Sequence, residues 1–446
     1  MAGTRNSYFQ MSMNRLLPIL VMLLATALTA RADLHEYIKK PDDSFKWTVK
    51  TSAKGASGTS YAIEMTSQTW QGIKWEHVLM VYLPDGVKPS DTIFLWNDGG
   101  KPDPLKSLLA FELSKRGKIP VAFLYGIPNQ PLFEGKKEDA LIAETFVRYL
   151  KTEDASWPLL FPMAKSLVRA MDALQAFSKE EWKTELKSFV VSGASKRGWT
   201  SWLTGAADSR VKAIAPLVID MLNFGKQLPH QVLSFGAPSL MIKDYTERGL
   251  IPIPDTTAGK KLWAMVDPWM YREKMTMPKM IINGANDPYW PQDALNLYWD
   301  DLKGDKWILY VPNAGHGLDQ TYPDGKKDRN RVINTLSTFA RCQIRGEAMP
   351  KMNWVHGDEG NSLSVVVKSD ESPKAARLWV ADSASRDFRK SKWTDTEIKL
   401  DKGSAKGLVE KPKEGWRTVF AEYEFERDGL SFYLSTQLRM VEAGKK

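Results

Sequence analysis

The distribution of apolar and polar positions along the chain alternates between two periods. Short apolar or β-branched runs, such as residues 92–96 and 119–125, are typical of buried strands. Between them lie stretches with helical spacing, such as residues 104–117, and the alternation continues to a helix predicted over residues 328–345. Strands that alternate with helices indicate an α/β protein with a mostly parallel sheet covered on both faces.

Two segments depart from this alternation. Residues 221–277 are too long for a simple crossover and carry several Trp, Tyr and Pro residues, so we expect a cap over the C-terminal edge of the sheet. From about residue 349 the pattern changes to β-like runs spaced by polar turns, which indicates a small all-β module. The predicted organisation is a main domain over residues 33–347, with the cap inserted, and a β-rich module over residues 348–446.

The first part of the chain has the pattern of a secretory signal peptide. Arg15 precedes an apolar run over residues 16–30, which is shorter than the ~20 residues that a membrane-spanning helix needs. Small residues in the pattern Ala30-x-Ala32 follow. We therefore predict a signal peptide over residues 1–32, of which residues 1–10 are a tag or a misassigned start. The mature protein would be exported to the periplasm or beyond; an uncleaved anchor is the alternative.

Composition and charge exclude several classes of protein. The 446 residues are 43% hydrophobic and 26% charged, as in ordinary globular proteins. The formal net charge is +9, but basic residues are interleaved with acids, as in GKKED at 135–139, which predicts a solvated surface and no nucleic-acid partner. Membrane contact is expected only during export. The single cysteine, Cys342, excludes an intramolecular disulfide and is predicted to be buried; no metal motif is present, and we expect no cofactor.

A strand predicted at residues 187–191 leads into the segment SGASKRG at 192–198, and a helical pattern follows directly. A serine becomes a nucleophile when a base removes its proton and an oxyanion hole receives the developing charge, and a strand-to-helix elbow of the form G-x-S-x-G meets both needs. Here Gly193 allows the turn and Ser195 is at its apex, whereas Arg197 takes the second small position and Gly198 comes one residue later. A helix-capping role for Ser195 is the alternative.

Candidate partners follow the serine in the order acid, then histidine. Asp287 comes just after a strand predicted at 279–282, and His316 just after the last predicted strand, 307–311. A carboxylate in this place would orient the imidazole and stabilise its charged form. Asp220, at the end of the strand before the cap, is the alternative acid, and a structural role is the alternative for His316.

The oxyanion hole would use the backbone N–H of Lys196 and one donor from the loop after the third strand, where the candidates are Asp98, Gly99 and Gly100. The side chains of Lys196 and Arg197 either add positive charge at the site or point to solvent. Four aromatic residues flank the predicted site and are candidates for a substrate pocket, with core packing as the alternative for each: Trp199, Trp202, Tyr289 and Trp290.

Several segments together resemble the PhoPQ-activated pathogenicity-related family, which includes autocrine proliferation repressors. They are WNDGG at 96–100, SGASKRGWTSWLTGAAD at 192–208, VIDMLN at 218–223, INGANDPYW at 282–290 and VPNAGHGL at 311–318. The resemblance implies an α/β-hydrolase fold, with Ser195, Asp287 and His316 on the family's triad, and it leaves the substrate undefined. The elbow, with a basic residue after the serine, is also similar to that of glucuronoyl esterases.

The predicted function is an exported serine hydrolase that cleaves an ester or amide bond through an acyl-serine intermediate, with ester cleavage slightly favoured. The substrate would be a small molecule, a peptide or a cell-surface compound. The alternative within this class is an exopeptidase or dipeptidyl peptidase, which would need acidic residues such as Asp244 or Glu247 to hold an amino terminus. The alternative of another class is a non-catalytic signalling or binding protein built on a hydrolase fold.

Overall fold

A computed structural model describes residues 33–444. The strands of its main sheet are β1 (Lys46–Gly55), β2 (Gly58–Trp70), β3 (Ile73–Pro84), β4 (Thr92–Asn97), β5 (Val121–Leu124), β6 (Ser188–Ala194), β7 (Val211–Leu217), β8 (Lys279–Gly284) and β9 (Lys306–Val311). Their order across the sheet is β1-β2-β3-β5-β4-β6-β7-β8-β9. The pairs from β1 to β3, and β3 with β5, are antiparallel, whereas β4 to β9 run parallel. The predicted mostly parallel sheet is confirmed.

Helices cover both faces of this sheet. In chain order the helices of the described residues are α1 (Asp33–Lys39), α2 (Pro104–Gly117), α3 (Glu138–Thr152), α4 (Leu160–Glu181), α5 (Lys196–Ala207), α6 (Phe224–Phe235), α7 (Lys243–Thr246), α8 (Thr257–Val266) and α9 (Asn330–Arg345). Helices α2 and α9 pack together over one face, and α4 and α5 pack together over the other. Because the central strands are covered twice, they are apolar without alternation: all four residues of β5 are buried.

Helix α2 shows how local sequence sets these boundaries. The Asp103 side chain accepts a hydrogen bond from the Lys106 N–H at 2.9 Å, and Pro104 occupies the first turn, where no backbone donor is needed. The helix ends after Gly117, where Lys118 adopts a left-handed conformation with φ 52°. The helix predicted over residues 104–117 is confirmed.

Between β7 and β8 the chain forms α6, α7 and α8, together with short 3-10 segments, in the region predicted to be a cap. Aromatic side chains hold these helices to the main domain. The rings of Phe224 and Trp263 lie 4.4 Å apart, and Phe224 also contacts Trp199 of α5 at 5.7 Å. The cap therefore packs onto the helix that follows the elbow.

The C-terminal region is all-β, as predicted. A small hairpin, β10 (Gln320–Thr321) and β11 (Lys327–Asp328), precedes α9. The strands of the C-terminal region follow α9 and are β12 (Met352–Glu359), β13 (Ser362–Ser369), β14 (Ala375–Ser383), β15 (Thr394–Glu397), β16 (Leu400–Asp401), β17 (Ser404–Glu410), β18 (Trp416–Arg427), β19 (Leu430–Ser435) and β20 (Arg439–Glu442). They form two antiparallel sheets, β12-β13-β17-β16 and β15-β14-β18-β19, and β20 also pairs with β18.

This β module packs tightly against the main domain. The N–H of Tyr310 in β9 donates to the Ser435 hydroxyl of β19 at 3.0 Å. Arg331 of α9 forms an ion pair with Glu422 of β18 at 2.5 Å, and the Glu422 side chain is fully buried. The two regions consequently share one hydrophobic core on this face of the sheet.

The predicted signal peptide, residues 1–32, lies outside the described residues. Within residues 33–444 no helix is long and apolar enough to cross a membrane. The same part of the chain holds no group of three or more His, Cys, Asp or Glu side chains arranged to bind a metal ion. Cys342 is buried in α9.

Candidate active site

Ser195 occupies a sharp turn between β6 and α5. Strand β6 ends at Ala194 and α5 begins at Lys196, so a single residue separates the two elements. That residue has φ 58° and ψ −126°, a conformation that is costly for a residue with a side chain. Backbone strain of this kind is held by the surrounding structure, and here it keeps Ser195 at the C-terminal edge of the sheet.

The two glycines of the elbow explain its unusual spacing. A Cβ on Gly193 would lie 2.4 Å from Asn97 Nδ2, and a Cβ on Gly198 would lie 2.7 Å from Ile219 Cγ2 and 3.0 Å from the Leu217 carbonyl. Gly198 therefore permits the close approach of α5 to the end of β7. The side chain at the position before it, Arg197, donates instead to the Ile127 carbonyl and the Glu138 carboxylate, so a long side chain is accommodated there.

Asp287 and His316 lie in the loops after β8 and β9. His316 Nδ1 is 2.8 Å from Asp287 Oδ2, and Asp287 Oδ1 accepts the N–H of Tyr289 at 2.9 Å. Both carboxylate oxygens are therefore held, and the other imidazole nitrogen, Nε2, is left for a different partner. The Tyr289 ring also lies against the imidazole, with ring centroids 4.2 Å apart.

Ser195 and His316 line one small pocket beneath the cap. Its volume is about 40 Å³, and its other walls are mostly apolar and aromatic. Three of the four predicted pocket residues line it, namely Trp199, Tyr289 and Trp290. The fourth, Trp202, is not among the lining residues: its side chain is buried in the core, which is the alternative that the sequence left open.

Sequence reasoning missed two acids at this site. Lys196 Nζ lies 2.8 Å from Asp139 Oδ2, and both Arg197 terminal nitrogens lie 2.6 Å from the Glu138 carboxylate. The GKKED segment was predicted to be a solvated surface; the Glu138 side chain is 41% exposed, whereas that of Asp139 is 15% exposed, so the prediction is wrong for Asp139. Two adjacent basic residues beside the serine need counter-ions if they are buried, and that need was the only signal in the sequence that acids lie at this site.

These ion pairs decide between the two predicted roles of the basic residues. The Lys196 and Arg197 side chains are each about 10% exposed, so neither points to solvent. Burial would raise the pKa of Glu138, but the hydrogen bonds and charge of Arg197 outweigh it and lower that pKa to about 2. The positive charge next to the serine is therefore compensated within the protein.

Of the three loop candidates for an oxyanion donor, one has a backbone N–H without an acceptor in the described chain. The Asp98 N–H donates to the Leu124 carbonyl at 2.8 Å, and the Gly100 N–H donates to Asp98 Oδ1 at 2.7 Å. The Gly99 N–H has no acceptor among residues 33–444. Gly99 is also in tight contact with Arg197, because a Cβ on it would lie 1.5 Å from Nη2 of that guanidinium. Gly99 and Lys196 are thus the N–H donors that remain.

Asp220, the alternative acid, has a different partner. Its Oδ1 accepts a hydrogen bond from the Tyr298 hydroxyl at 2.6 Å. Burial raises the pKa of Asp220 to about 8, and the nearby carboxylates of Asp287 and Asp293 add to the rise. Asp220 is therefore a buried acid that is bonded to Tyr298 and whose pKa lies well above the ordinary value.

The loops that carry Asp287 and His316 are hydrogen-bonded to the β module. Trp393 exchanges two hydrogen bonds with the Asn313 side chain, at 2.8 and 2.9 Å, and its indole N–H donates to the Ala285 carbonyl at 3.2 Å. Asn286 donates to the carbonyls of Phe388 and Ser391, at 3.1 and 2.8 Å. The segment from 388 to 393 therefore supports both loops from behind.

Asp244 and Glu247, which an exopeptidase would use to hold an amino terminus, do not line the pocket. Asp244 instead pairs with Arg248 at 3.2 Å. Asp139 does line the pocket, but it is bonded to Lys196 and to the Tyr245 hydroxyl. Within the described part of the chain, no wall of this pocket carries an uncompensated carboxylate.

The strand order, the elbow after β6 and the loops after β8 and β9 define an α/β-hydrolase fold. The chain belongs to the PhoPQ-activated pathogenicity-related protein family, whose model matches residues 34–389. It is 31% identical to autocrine proliferation repressor protein A of Dictyostelium discoideum over 453 residues, which cover 93% of this chain and 90% of that protein. The predicted resemblance is confirmed.

Solved structures of similar overall fold include two esterases. Acetyl xylan esterase 1 from a Thermoanaerobacterium species has a TM-score of 0.46 and 14% identity, covering 64% of this chain and 88% of that one. A glucuronoyl esterase from Solibacter usitatus has a TM-score of 0.38 and 16% identity, covering 61% and 77%. At these identities the likeness concerns the fold alone.

Proposed function

We propose that this protein is a serine hydrolase that cleaves an ester bond, with Ser195 as nucleophile, His316 as base and Asp287 as acid. The observation that carries the proposal is the 2.8 Å hydrogen bond between Asp287 and His316, in a pocket that His316 shares with the strained Ser195. In this arrangement His316 would accept the hydroxyl proton at Nε2 while the serine oxygen attacks the acyl carbonyl.

The oxyanion of the tetrahedral intermediate would be stabilised by the backbone N–H groups of Lys196 and Gly99. His316 then returns the proton to the leaving alcohol, and the acyl group stays on Ser195. A water molecule, deprotonated by His316, attacks this acyl-serine and releases the carboxylic acid. Asp287 would keep the imidazole in one orientation throughout and stabilise its charged form.

The pocket supports a short acyl group. Its volume is about 40 Å³, and rings of the cap and of α5 line it. A cavity needs only ~10–15 Å³ to hold one water molecule, so this space suits a group of a few heavy atoms and not a long chain. The favoured substrate is therefore an ester of a small acid, such as acetate.

Ester cleavage is favoured over exopeptidase activity because of the charges around the pocket. An exopeptidase would need a free carboxylate to pair with the substrate's amino terminus, which is a cation. Asp139 and Glu138 are occupied by Lys196 and Arg197, and Asp244 is occupied by Arg248.

Labelling with a fluorophosphonate probe tests the nucleophile. The native protein should label, and Ser195→Ala should not. Ser192→Ala is the matched control, because its hydroxyl lies on the same strand but donates to the Ala215 carbonyl, away from the pocket. Equal labelling of the native protein and Ser195→Ala would place the nucleophile at another residue, and no labelling of either would favour a non-catalytic binding protein.

We also propose that the enzyme is exported and acts in the periplasm or outside the cell. The proposal rests on the sequence pattern of residues 15–32. Amino-terminal sequencing of the protein from its native cells should give a chain that starts at Asp33. A chain that retains residues 16–30 would instead indicate an uncleaved anchor.

A further inference from the structure

A second, larger cavity opens between the main domain and the β module. It is a groove of about 810 Å³, near the upper end of the ~300–1,000 Å³ that is usual for small-molecule sites. Asn286 and Gly315 line it, and each directly precedes a proposed catalytic residue, Asp287 and His316. The groove and the proposed active-site pocket have no lining residue in common, but residues of the same two loops, after β8 and β9, line both.

The lining of this groove is strongly basic. It contains one carboxylate, Asp395. The basic residues that line it are Arg331, Arg377, Arg389, Lys390 and Lys392. Lys390 and Lys392 are exposed, and neither forms an ion pair with any residue between 33 and 444. The groove consequently presents positive charge that the described chain does not neutralise.

The arginines are held in fixed positions by acids behind the groove. Arg331 is 9% exposed; its Nη1 pairs with the buried Glu422, its Nε donates to Gln320 at 2.8 Å, and its guanidinium lies 3.9 Å from the Tyr433 ring. Arg377 pairs with Glu424 at 2.9 Å and with Asp395, the carboxylate of the lining, at 3.5 Å, and Arg389 pairs with Asp387 at 2.6 Å. In Arg331 and Arg377 the terminal nitrogen Nη2 has no hydrogen-bond partner in the described chain. Such a nitrogen is a preorganised donor for a ligand oxygen.

The chemistry of the lining selects among anionic ligands. Besides the cations it offers aromatic rings, including Tyr322 and Tyr433, and the hydroxyls of Thr321 and Thr394. Nucleic-acid binding depends on many phosphate contacts from unpaired cations, and only two lysines here are unpaired. Carboxylated sugars carry a sparser charge, many hydroxyls and apolar ring faces, which match this mixture of donors and rings.

We propose that this groove binds a carboxylated oligosaccharide and so holds the polymer whose ester the neighbouring site cleaves. The second half of this statement rests on the proposed function, whereas binding itself does not. Gly315 of the groove and His316 of the pocket are adjacent in one loop, so a polymer that runs past the groove and around this loop would bring an ester to His316 and Ser195. The β module would then be a substrate-binding element as well as a support for the catalytic loops.

Isothermal titration calorimetry of the Ser195→Ala protein with oligogalacturonate, a carboxylated probe, tests the binding. The comparison ligand is the methyl-esterified oligomer, in which the charges are removed and the sugar backbone is kept. Affinity for the charged probe should exceed that for the neutral one and should fall as salt is added. Equal affinity for the two probes, or no binding of oligogalacturonate, would overturn the proposal.

A matched pair of charge-reversal variants locates the site. Lys390→Glu/Lys392→Glu should weaken oligogalacturonate binding by about tenfold or more, because both lysines line the groove. Lys399→Glu/Lys413→Glu makes the same change in net charge at exposed lysines elsewhere on the module and should leave binding within about twofold. Equal loss in both variants would reduce the effect to overall charge, and tighter binding of a single-stranded oligonucleotide would reject the ligand class.

This test and the test of Ser195 fail independently. If fluorophosphonate labelling fails but the groove binds oligogalacturonate, the groove stands as a glycan-binding site without a linked esterase. If labelling succeeds but the groove does not bind, the esterase stands and its substrate is held elsewhere.

Discussion

His316 Nδ1 and Asp287 Oδ2 are 2.8 Å apart, whereas Asp220 bonds to Tyr298 and not to the imidazole. This geometry separates two acids that both follow strands at the same edge of the sheet. Asp287→Asn should lower kcat by about four orders of magnitude, since an amide favours the wrong imidazole tautomer. Asp220→Asn should change kcat only a few-fold. Steady-state hydrolysis of p-nitrophenyl acetate measures both, and the reverse ranking would reassign the acid.

Asp220 should make stability depend on pH. Its pKa is raised to about 8 in the folded protein, mainly by burial, against an ordinary value of 3.8. Between these two values the folded state binds a proton that the unfolded state has lost, so the free energy of unfolding falls as pH rises from about 4 to 8. Below about pH 4 this carboxyl adds no pH dependence to the free energy of unfolding, and above about pH 8 its stabilising contribution is completely lost.

Urea unfolding at pH 5 and pH 8 measures this dependence. From pH 5 to pH 8 the free energy of unfolding of the native protein should fall by on the order of 2 kcal/mol or more relative to that of Asp220→Asn. Asp220→Asn is the control for the native protein, because the two proteins share all other titrating groups. Its amide oxygen would still accept a hydrogen bond from the Tyr298 hydroxyl. Parallel pH profiles for the two proteins would show that Asp220 is ionised in the folded state.

The loop that carries Gly99 offers a second matched pair. Gly99→Ala would bring a Cβ to 1.5 Å from Arg197 Nη2, whose guanidinium is fixed by two 2.6 Å bonds to Glu138. The loop must therefore shift, and the proposed oxyanion donor with it. We expect kcat to fall by about 10- to 100-fold, somewhat less than the loss of a complete donor.

Gly100→Ala is the control for this change. Its Cβ would meet Lys106 Nζ at 2.4 Å, the far end of a flexible side chain, and its N–H already serves the Asp98 carboxylate. Activity should remain within a few-fold of the native value. Similar losses in the two variants would mean that the loop acts as a unit and that Gly99 has no separate role.

The size of the acyl pocket is tested by removing one of its walls. Trp290 lines the pocket, and its ring lies 5.9 Å from that of Phe224. In Trp290→Ala the ratio of kcat/KM for hexanoate to acetate esters should rise by about tenfold or more, since each methylene accommodated is worth ~1–3 kcal/mol. Trp202→Ala, which empties the core beside the pocket, should lower stability and leave this ratio unchanged. An unchanged ratio in Trp290→Ala would place the acyl group elsewhere.

The parts of this site that could be predicted from sequence are local. Ser195 and its glycines follow one another in the chain, so the strand, the turn and the helix are visible together. Asp287 and His316 could be predicted because each directly follows a short apolar strand, and the C-terminal ends of parallel strands meet at one edge of the sheet.

What could not be predicted depends on contacts between distant segments. Glu138 is far from Arg197 in the chain, and a run such as GKKED has the same appearance whether it faces water or a buried guanidinium. Trp199 and Trp202 share one helix, yet the first lines the pocket and the second lies in the core. Only the placement of the cap over α5 separates them.

The last prediction concerns the contribution to stability of a buried ion pair between the β module and the main domain. Glu422 of β18 is fully buried against Arg331 of α9, whereas Glu426 of the same strand forms an exposed pair with Lys374. Burial raises the pKa of Glu422, and the Arg331 charge opposes that rise. Glu422→Gln would leave Arg331 buried without a charged partner, at a cost of about 3–5 kcal/mol in the free energy of unfolding. Glu426→Gln should not move the urea midpoint. Equal midpoints in both variants, measured at pH 8, would show that the module contributes no stability through this contact and folds as a separate unit.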